Sequence, residues 1–149
     1  MHADLAKLIV LQAHDIEAKH LRDEMAALPK QVAALDTKAK ATVGQRAVVL
    51  DLLQKEEILR RRLESDVKDL QQKIERTQKK IDVATTTVQV TALEHEAAFA
   101  HTEISRLEDA ELESMERSEV LEAHRALADT SVAEAATAYE RESARAAET

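Results

Sequence analysis

The sequence predicts an all-α protein: a long antiparallel coiled-coil hairpin with a short N-terminal helix that is kinked at Leu28-Pro29. Three observations predict this fold. The chain of 149 residues has one glycine, one proline and 1% aromatic residues, so it can form few turns and no large compact core. Charged residues make up 34% and apolar residues 44%, which is typical of long helices that bury one narrow stripe. Leu, Ile and Val also recur at helical spacing, which favours helices over disorder.

The first helix is predicted over residues 1–28. It is followed by Pro29, which lacks a backbone N–H and disfavours helical geometry at Leu28, so the helix should end or kink there. We interpret the remaining residues, 29–149, as the hairpin. The apolar stripe of the first helix consists of Leu5, Leu8, Ile9, Ile16, Met25 and Leu28.

A heptad repeat predicts the first arm of the hairpin over residues 30–84. Eleven of its sixteen seam positions are apolar, and the seam is interrupted near Arg46 and between Glu56 and Arg60. Gly44 lies in the weaker part and costs about 1 kcal/mol relative to Ala, so fraying or a shift of register is expected there. The sixteen positions are Val32, Leu35, Ala39, Thr42, Arg46, Val49, Leu53, Glu56, Arg60, Leu63, Val67, Leu70, Ile74, Thr77, Ile81 and Ala84.

The tip of the hairpin is placed at residues 85–91, where the sequence becomes β-branched and polar. Thr91 and Glu94 match a capping box, which predicts that the second arm begins there and covers residues 92–147. Apolar residues then follow a 3,4 spacing as far as Leu107. The pattern slips near Leu112 and Met115, which indicates a stutter in the second arm.

The two arms carry opposite charge balances. Residues up to Thr87 include 16 Lys and Arg against 14 Asp and Glu, a net charge of +2, and the rest include 5 against 15, a net charge of −10. With a tip near Thr87, paired residue numbers should sum to roughly 174, because both helices rise equally per residue. Residues before Pro29 then have no partners in the chain. Three explanations stay open: this helix bends back onto the stem, it pairs with another subunit through residues 1–28, or the chain is the front part of a longer protein.

The amino-acid composition excludes several classes of function. There is no cysteine, so disulfides and thiolate metal sites are excluded from this chain. The net charge of −8 argues against a general nucleic-acid binder, which needs a basic face. Without a signal peptide or a long apolar stretch, a soluble, cytoplasmic protein with no membrane partner is expected.

Candidate chemical sites are few. His95-Glu96 and His101 lack zinc-protease spacing, because Phe99 occupies the position of the second histidine. Arg60, Arg61 and Arg62 form a basic cluster, but acidic neighbours favour a solvated, internally paired face over a nucleic-acid strip. No nucleophile lies in a recognisable turn and there is no glycine-rich phosphate loop. The sequence therefore predicts no enzyme, no catalytic residue, and no cofactor or metal in this chain.

The sequence resembles a bacterial and archaeal family that joins a coiled-coil hairpin to a four-cysteine zinc ribbon. The first helix is similar through Leu8, Leu11-Gln12, Asp15, Ile16 and Leu28-Pro29. The tip and second arm are similar through Thr86, Ala92-Leu93, Glu96, Leu107-Glu108-Asp109, Leu112 and Met115-Glu116. The chain departs from the family at Thr87, Gln89, Val90, Glu111 and Ser118, and it lacks the ribbon's cysteines. This resemblance suggests the hairpin portion of such a protein, with zinc expected only where a C-terminal ribbon exists.

The resemblance implies a scaffold or adaptor, since members of the family bind the sigma factor sigma-54, flagellar or type III export components, or messenger RNA. Our first hypothesis is a protein-binding hairpin, with Thr86, Leu93, Glu96, Glu108 and Asp109 as candidate partner-binding residues. A second hypothesis is an RNA-binding adaptor that acts through residues 60–62 and a lost zinc ribbon. A third is structural self-association through residues 1–28.

Overall fold

The computed structural model describes residues 2–148 as two long α-helices. The first helix, α1, spans His2–Val83 and the second, α2, spans Thr87–Glu148. No strand occurs between residues 2 and 148. Inter-helix contacts such as Leu63 with Leu107 confirm the predicted all-α helical hairpin. Neither helix, over its described residues, is long and apolar enough to cross a membrane.

The predicted seam of α1 is confirmed. All sixteen heptad positions between Val32 and Ala84 are buried or half-buried, including the polar positions Arg46, Glu56 and Arg60. The expected shift of register at Gly44 is therefore wrong. The helix runs through Gly44 without interruption, and the neighbouring seam residues Thr42 and Arg46 both keep their place.

The predicted stutter in α2 is also wrong. Residues 107, 111, 114, 118 and 121 are all buried or half-buried, which is an unbroken 3,4 spacing. Leu112 and Met115, the apolar residues that suggested a slip, are 58% and 48% exposed. Polar side chains take the seam positions instead, and Ser114 is fully buried. The stutter was predicted because the apolar residues of this stretch were assumed to be buried, whereas here apolar residues are exposed and polar ones are buried.

The turn is shorter than predicted and consists of residues 84–86. The backbone N–H of Gln89 donates to Thr86 Oγ1 (3.2 Å), and the N–H of Thr85 donates to Gln89 Oε1 (3.4 Å). Thr86 thus caps α2 in the way that we expected of Thr91, while the Gln89 side chain reaches back to the N–H of Thr85, one residue before the cap. The second arm begins at Thr87 rather than at residue 92, because β-branched residues lower helix stability by only tenths of a kcal/mol each.

Pro29 does not end the first helix. It lies inside α1, and helical structure continues through the boundary expected between residues 28 and 29. The kink at Leu28-Pro29 stays a prediction. Residues 2–26 are all exposed. The explanation in which this segment bends back onto the stem is therefore wrong, since it would bury the apolar stripe. The exposed large apolar side chains here are Leu5, Leu8, Ile9, Val10, Leu11, Ile16, Leu21 and Met25.

The described residues divide into two compact units. One unit contains residues 2–46 and 127–148, and its buried residues are Leu28, Thr42 and Ala135. In this unit Arg46 Nε donates to Asp129 Oδ1 (2.5 Å), so the first polar interruption of the seam is an inter-helix ion pair. The other unit contains residues 47–126. Its apolar core consists of Leu63, Val67 and Leu107, with Leu70, Ile104 and Ala110 packed against it.

Candidate functional site: surfaces of the hairpin and a polar layer in its seam

A polar layer crosses the seam in the unit of residues 47–126. The Ser114 hydroxyl donates to Glu56 Oε2 (2.6 Å), and the Arg117 guanidinium donates through Nε to Oε1 (2.7 Å) and through Nη2 to Oε2 (3.2 Å). Glu56 is a seam residue of α1 whose side chain is 16% exposed, while Arg117 is 49% exposed. Ser114 and Arg117 lie three residues apart, so both reach Glu56 from one side of α2. The layer therefore joins the two helices through three hydrogen bonds to one carboxylate.

These hydrogen bonds set the ionisation of Glu56. The pKa of its carboxyl group is lowered from 4.5, first by the hydrogen bond from Arg117 and then by that from Ser114, against the opposing effect of burial. The pKa of Arg117 is raised, chiefly by the hydrogen bond to Glu56. The two shifts agree that the pair is charged at neutral pH. Arg117 therefore matches the charge of Glu56 from the exposed edge of the seam, which lets a carboxylate occupy a heptad position that normally holds a hydrophobe.

Two further polar seam residues flank this layer, Arg60 one turn after Glu56 on α1 and Ser118 one turn after Ser114 on α2. Arg60 Nε and Ser118 Oγ are buried, and neither atom has a hydrogen-bond partner. Both residues line a small pocket of about 260 Å³ with Leu50, Leu53 and Gln54 among its other walls. The positive charge of Arg60 also helps to lower the pKa of Glu56. Arg60 therefore lies in the seam, as its heptad position predicts, and is not part of an exposed basic cluster.

The three arginines of that cluster do not form one strip. Arg60 is half-buried in the seam, and Arg61 donates through Nη2 to Glu57 Oε1 (2.6 Å). Arg62 is exposed. Consecutive helical residues point about 100° apart, so the cluster cannot present three guanidinium groups to one phosphate backbone. Of the three arginines, Arg61 is paired with an acidic neighbour on its own helix, and the internally paired face as a whole stays a prediction.

The candidate partner-binding residues fall in separate places. Thr86 is exposed in the turn but caps α2. Leu93 is half-buried in the seam and lines a shallow depression beside Lys80 and Val83. Glu96, Glu108 and Asp109 are exposed on α2, and no interaction ties them to α1 in the described structure. The structure does not bring these five residues together, so each stays a separate prediction.

No zinc site is formed by this part of the chain. There is no cysteine, and within residues 2–148 no group of three or more His, Asp or Glu side chains is placed to hold a metal ion. His95 and His101 are both exposed. The residues present therefore do not fit the four-cysteine ribbon of the family that the sequence resembles.

A groove in the unit of residues 47–126 was not predicted from the sequence. It has a volume of about 590 Å³ and lies beside the polar layer. Its apolar walls are Leu52, Val120 and Leu121, and Glu113 and Glu116 stand at its α2 side with the Glu56–Arg117 pair. Leu52 is 42% exposed and Val120 is 56% exposed. The sequence signal was present as two apolar residues outside the heptad seam, but nothing in the sequence showed that they share a groove.

Comparisons with known proteins agree with this architecture. No match was found among curated proteins, and no solved structure matches either. A model of the CT398-like coiled coil hairpin domain matches residues 11–149, which is nearly the whole chain. The matched residues include most of α1, the turn and α2. The chain therefore belongs to the family of CT398-like coiled coil hairpin domains.

Proposed function

We propose that this hairpin is a non-enzymatic interaction protein, an adaptor or scaffold that binds another protein through the outer faces of its two helices. The observation that carries this proposal is the number of large apolar side chains left in water outside a closed seam. Several of them are more than half exposed on regular helix surface, namely Ile58, Phe99, Leu112, Val120 and Leu127. Isolated exposed hydrophobes are common on protein surfaces, so the proposal draws on the number of large ones on these two helices.

The absence of a catalytic arrangement in the described residues also supports the proposal. The shifted pKa values belong to ion-paired residues such as Glu56 and Glu103, whose partners are arginines. Both shifts are downward, which keeps the carboxylates ionised and unsuited to act as general acids near neutral pH. The groove beside the polar layer is lined by no Ser, Thr, Cys, Lys or His side chain that could serve as a nucleophile. A binding role therefore accounts for the site better than catalysis.

The resemblance to zinc-ribbon proteins suggests which partners to try first. Proteins of that kind bind sigma-54, or flagellar and type III export components, so we propose a cytoplasmic partner from those classes. The supporting residues are Leu93, Glu96 and Leu107-Glu108-Asp109, which match that family's tip and second-arm signatures. Glu96, Glu108 and Asp109 are exposed and available for contact.

The experiment is site-specific photo-crosslinking of the full chain in cells of its source. A photoreactive residue replaces Glu96 or Asp109 in separate variants, and crosslinked proteins are identified by mass spectrometry. The proposal predicts the same protein partner from both positions. Arg61 is the matched control position, because it is an exposed helical residue that already pairs with Glu57 within α1. Crosslinks to RNA alone would instead support the RNA-adaptor hypothesis, and an absence of partner crosslinks at both positions would contradict the proposal.

Self-association through the N-terminal segment is a second candidate, favoured by the complete exposure of residues 2–26. Leu8, Ile9, Val10 and Leu11 are consecutive, so apolar side chains point all round the helix. A helix of this kind is stable only when other helices cover it. Light scattering of the full chain and of a variant that starts at Pro29 tests this candidate. It predicts an oligomer that the truncation reduces to a monomer, whereas a full chain that is already monomeric contradicts it.

A further inference from the structure

The groove beside the polar layer has the chemistry of a receptor for one particular kind of helix. Its floor and walls are apolar at Leu52, Val120 and Leu121, and its acidic side is formed by Glu113 and Glu116. Two further exposed apolar residues, Val48 and Leu59, lie four residues before and seven residues after Leu52. These spacings place all three on the same side of α1, with Lys55 and Glu56 between Leu52 and Leu59.

The groove has an excess of negative charge, because its lining residues include Glu56, Glu113 and Glu116 but one cation, Arg117. Glu113 and Glu116 form no ion pair within residues 2–148. Arg117 is held by two hydrogen bonds to Glu56, and the charge of Glu113 also acts on it, whereas Glu116 has no cationic partner within residues 2–148. On the α1 side, Lys55 is paired with Asp51 at 3.0 Å. The α2 side of the groove therefore offers two carboxylates to an incoming cation.

We propose that this groove, defined by Leu52, Glu113, Glu116, Val120 and Leu121, binds a basic amphipathic helix of a partner protein. The partner's apolar side chains, spaced by about one and two helical turns, enter between Leu52 and Val120. Its Lys or Arg side chains, on the edge that faces α2, pair with Glu113 and Glu116. A helix fits better than an extended peptide, because the hairpin presents side chains rather than free backbone hydrogen-bonding groups. This inference rests on the proposed binding function and specifies the partner's chemistry.

The test uses three fluorescent synthetic helices of about 18 residues, ~27 Å long. The first carries Leu at positions i, i+4, i+7 and i+11 with Lys on the flanking positions. The second replaces Lys by Glu, and the third replaces Leu by Ala. Fluorescence anisotropy with the full chain measures each affinity. We expect saturable binding of the Leu/Lys helix. The other two helices should bind at least about tenfold more weakly, because the second lacks the basic side chains and the third lacks the large apolar ones.

Variants of the protein locate the binding. We expect the double substitution Glu113→Gln with Glu116→Gln to weaken binding of the Leu/Lys helix about tenfold, and Leu52→Gln to weaken it similarly. The matched control Glu94→Gln with Glu119→Gln removes the same charge from exposed positions outside the groove. Leu112→Gln is the control for a lost exposed hydrophobe.

The outcomes separate this inference from the broader proposal. If the groove variants and their controls lose affinity for the Leu/Lys helix equally, the helix is attracted to an acidic protein in general. That result would overturn the groove as the binding site. Failure of the Leu/Lys helix to bind would overturn it as well. The photo-crosslinking experiment at Glu96 and Asp109 does not depend on this groove, so a partner captured there would leave the proposed function standing while this inference fails.

Discussion

Ser114, which is fully buried on α2, donates a hydrogen bond of 2.6 Å to the carboxylate of Glu56 on α1. This bond lies in a heptad seam, where two apolar side chains would ordinarily meet. Arg117 completes the layer by matching the charge of Glu56. A polar layer is worth less than an apolar one in stability, but it tolerates fewer alternative pairings because a shifted register would leave its groups unmatched. We infer that this layer sets the pairing of the two helices in residues 47–126.

Removing the carboxylate at this layer should destabilise the hairpin. The substitution Glu56→Ala leaves the buried Ser114 hydroxyl without its acceptor and Arg117 without its counter-ion, so we expect the free energy of unfolding to fall by about 1–3 kcal/mol. Urea denaturation followed by circular dichroism measures the change. Glu57→Ala is the matched control, because Glu57 pairs with Arg61 on the exposed face of the same helix and should cost no more than about 0.5 kcal/mol. Equal costs for the two variants would contradict the role of the layer.

The same carboxylate should make stability depend on pH. The pKa of Glu56 is lower in the folded protein than its unfolded value of 4.5, so its contribution is complete above pH 4.5 and disappears as the pH falls through the lowered pKa. Thermal unfolding of the wild-type chain and Glu56→Gln over a series of pH values tests this expectation. The stability difference between them should be greatest near neutral pH and should shrink below pH 4.5. A difference that stays constant to low pH would show that ionisation of Glu56 contributes nothing.

Gly44 offers a stabilising substitution. It is exposed within α1, and a Cβ added there meets nothing within 4 Å. Gly44→Ala should therefore raise the free energy of unfolding by about 1 kcal/mol, because glycine loses more backbone entropy in a helix. The reverse change at another exposed helical position, Ala47→Gly, should lower it by a similar amount. Denaturation midpoints measure both, and a loss of stability in Gly44→Ala would mean that the chain is not regular helix at this position.

Pro29 should weaken the helix on its N-terminal side. It cannot donate to the carbonyl of Met25, and residues 2–26 are all exposed, so packing adds little to their stability. We expect the amides of this segment to exchange with solvent much faster than those around Leu63. Pro29→Ala restores the hydrogen bond and should slow exchange in residues close to the substitution. Hydrogen exchange measured by mass spectrometry tests both statements, and protection of residues 2–26 in the wild-type chain would show that a partner or a second copy covers them.

The fold was largely predictable because the heptad of α1 is regular. Its sixteen seam positions were assigned correctly even where Arg46 and Glu56 interrupt the apolar pattern, since neighbouring layers fixed the phase. The phase of α2 was lost near Leu112 and Met115. There, exposed apolar residues stand beside buried polar ones, and only the partner helix reveals that Ser114 is satisfied by Glu56. The cap at Thr86 was missed because two similar Thr-x-x-Gln/Glu patterns follow each other closely.

The candidate site was less predictable than the fold. Exposure of Glu96, Glu108 and Asp109 follows from their place outside the seam. The groove at Leu52 and Val120 could not be foreseen, because the two residues are far apart in sequence and meet only through antiparallel pairing. Arg60 illustrates the same difficulty. Its position in a basic run suggested the surface, while the heptad places it in the seam.

The most direct test of the antiparallel hairpin uses the absence of native cysteine. Leu63 and Leu107 belong to one apolar cluster on facing helices, so the pair Leu63→Cys with Leu107→Cys should oxidise within a single chain. Mass spectrometry and non-reducing electrophoresis at low protein concentration give the result. The account predicts an internally crosslinked monomer, and no comparable crosslink in the mismatched pair Leu63→Cys with Leu93→Cys. Disulfide-linked dimers as the main product of the first pair would show that the helices pair between chains and would contradict the hairpin.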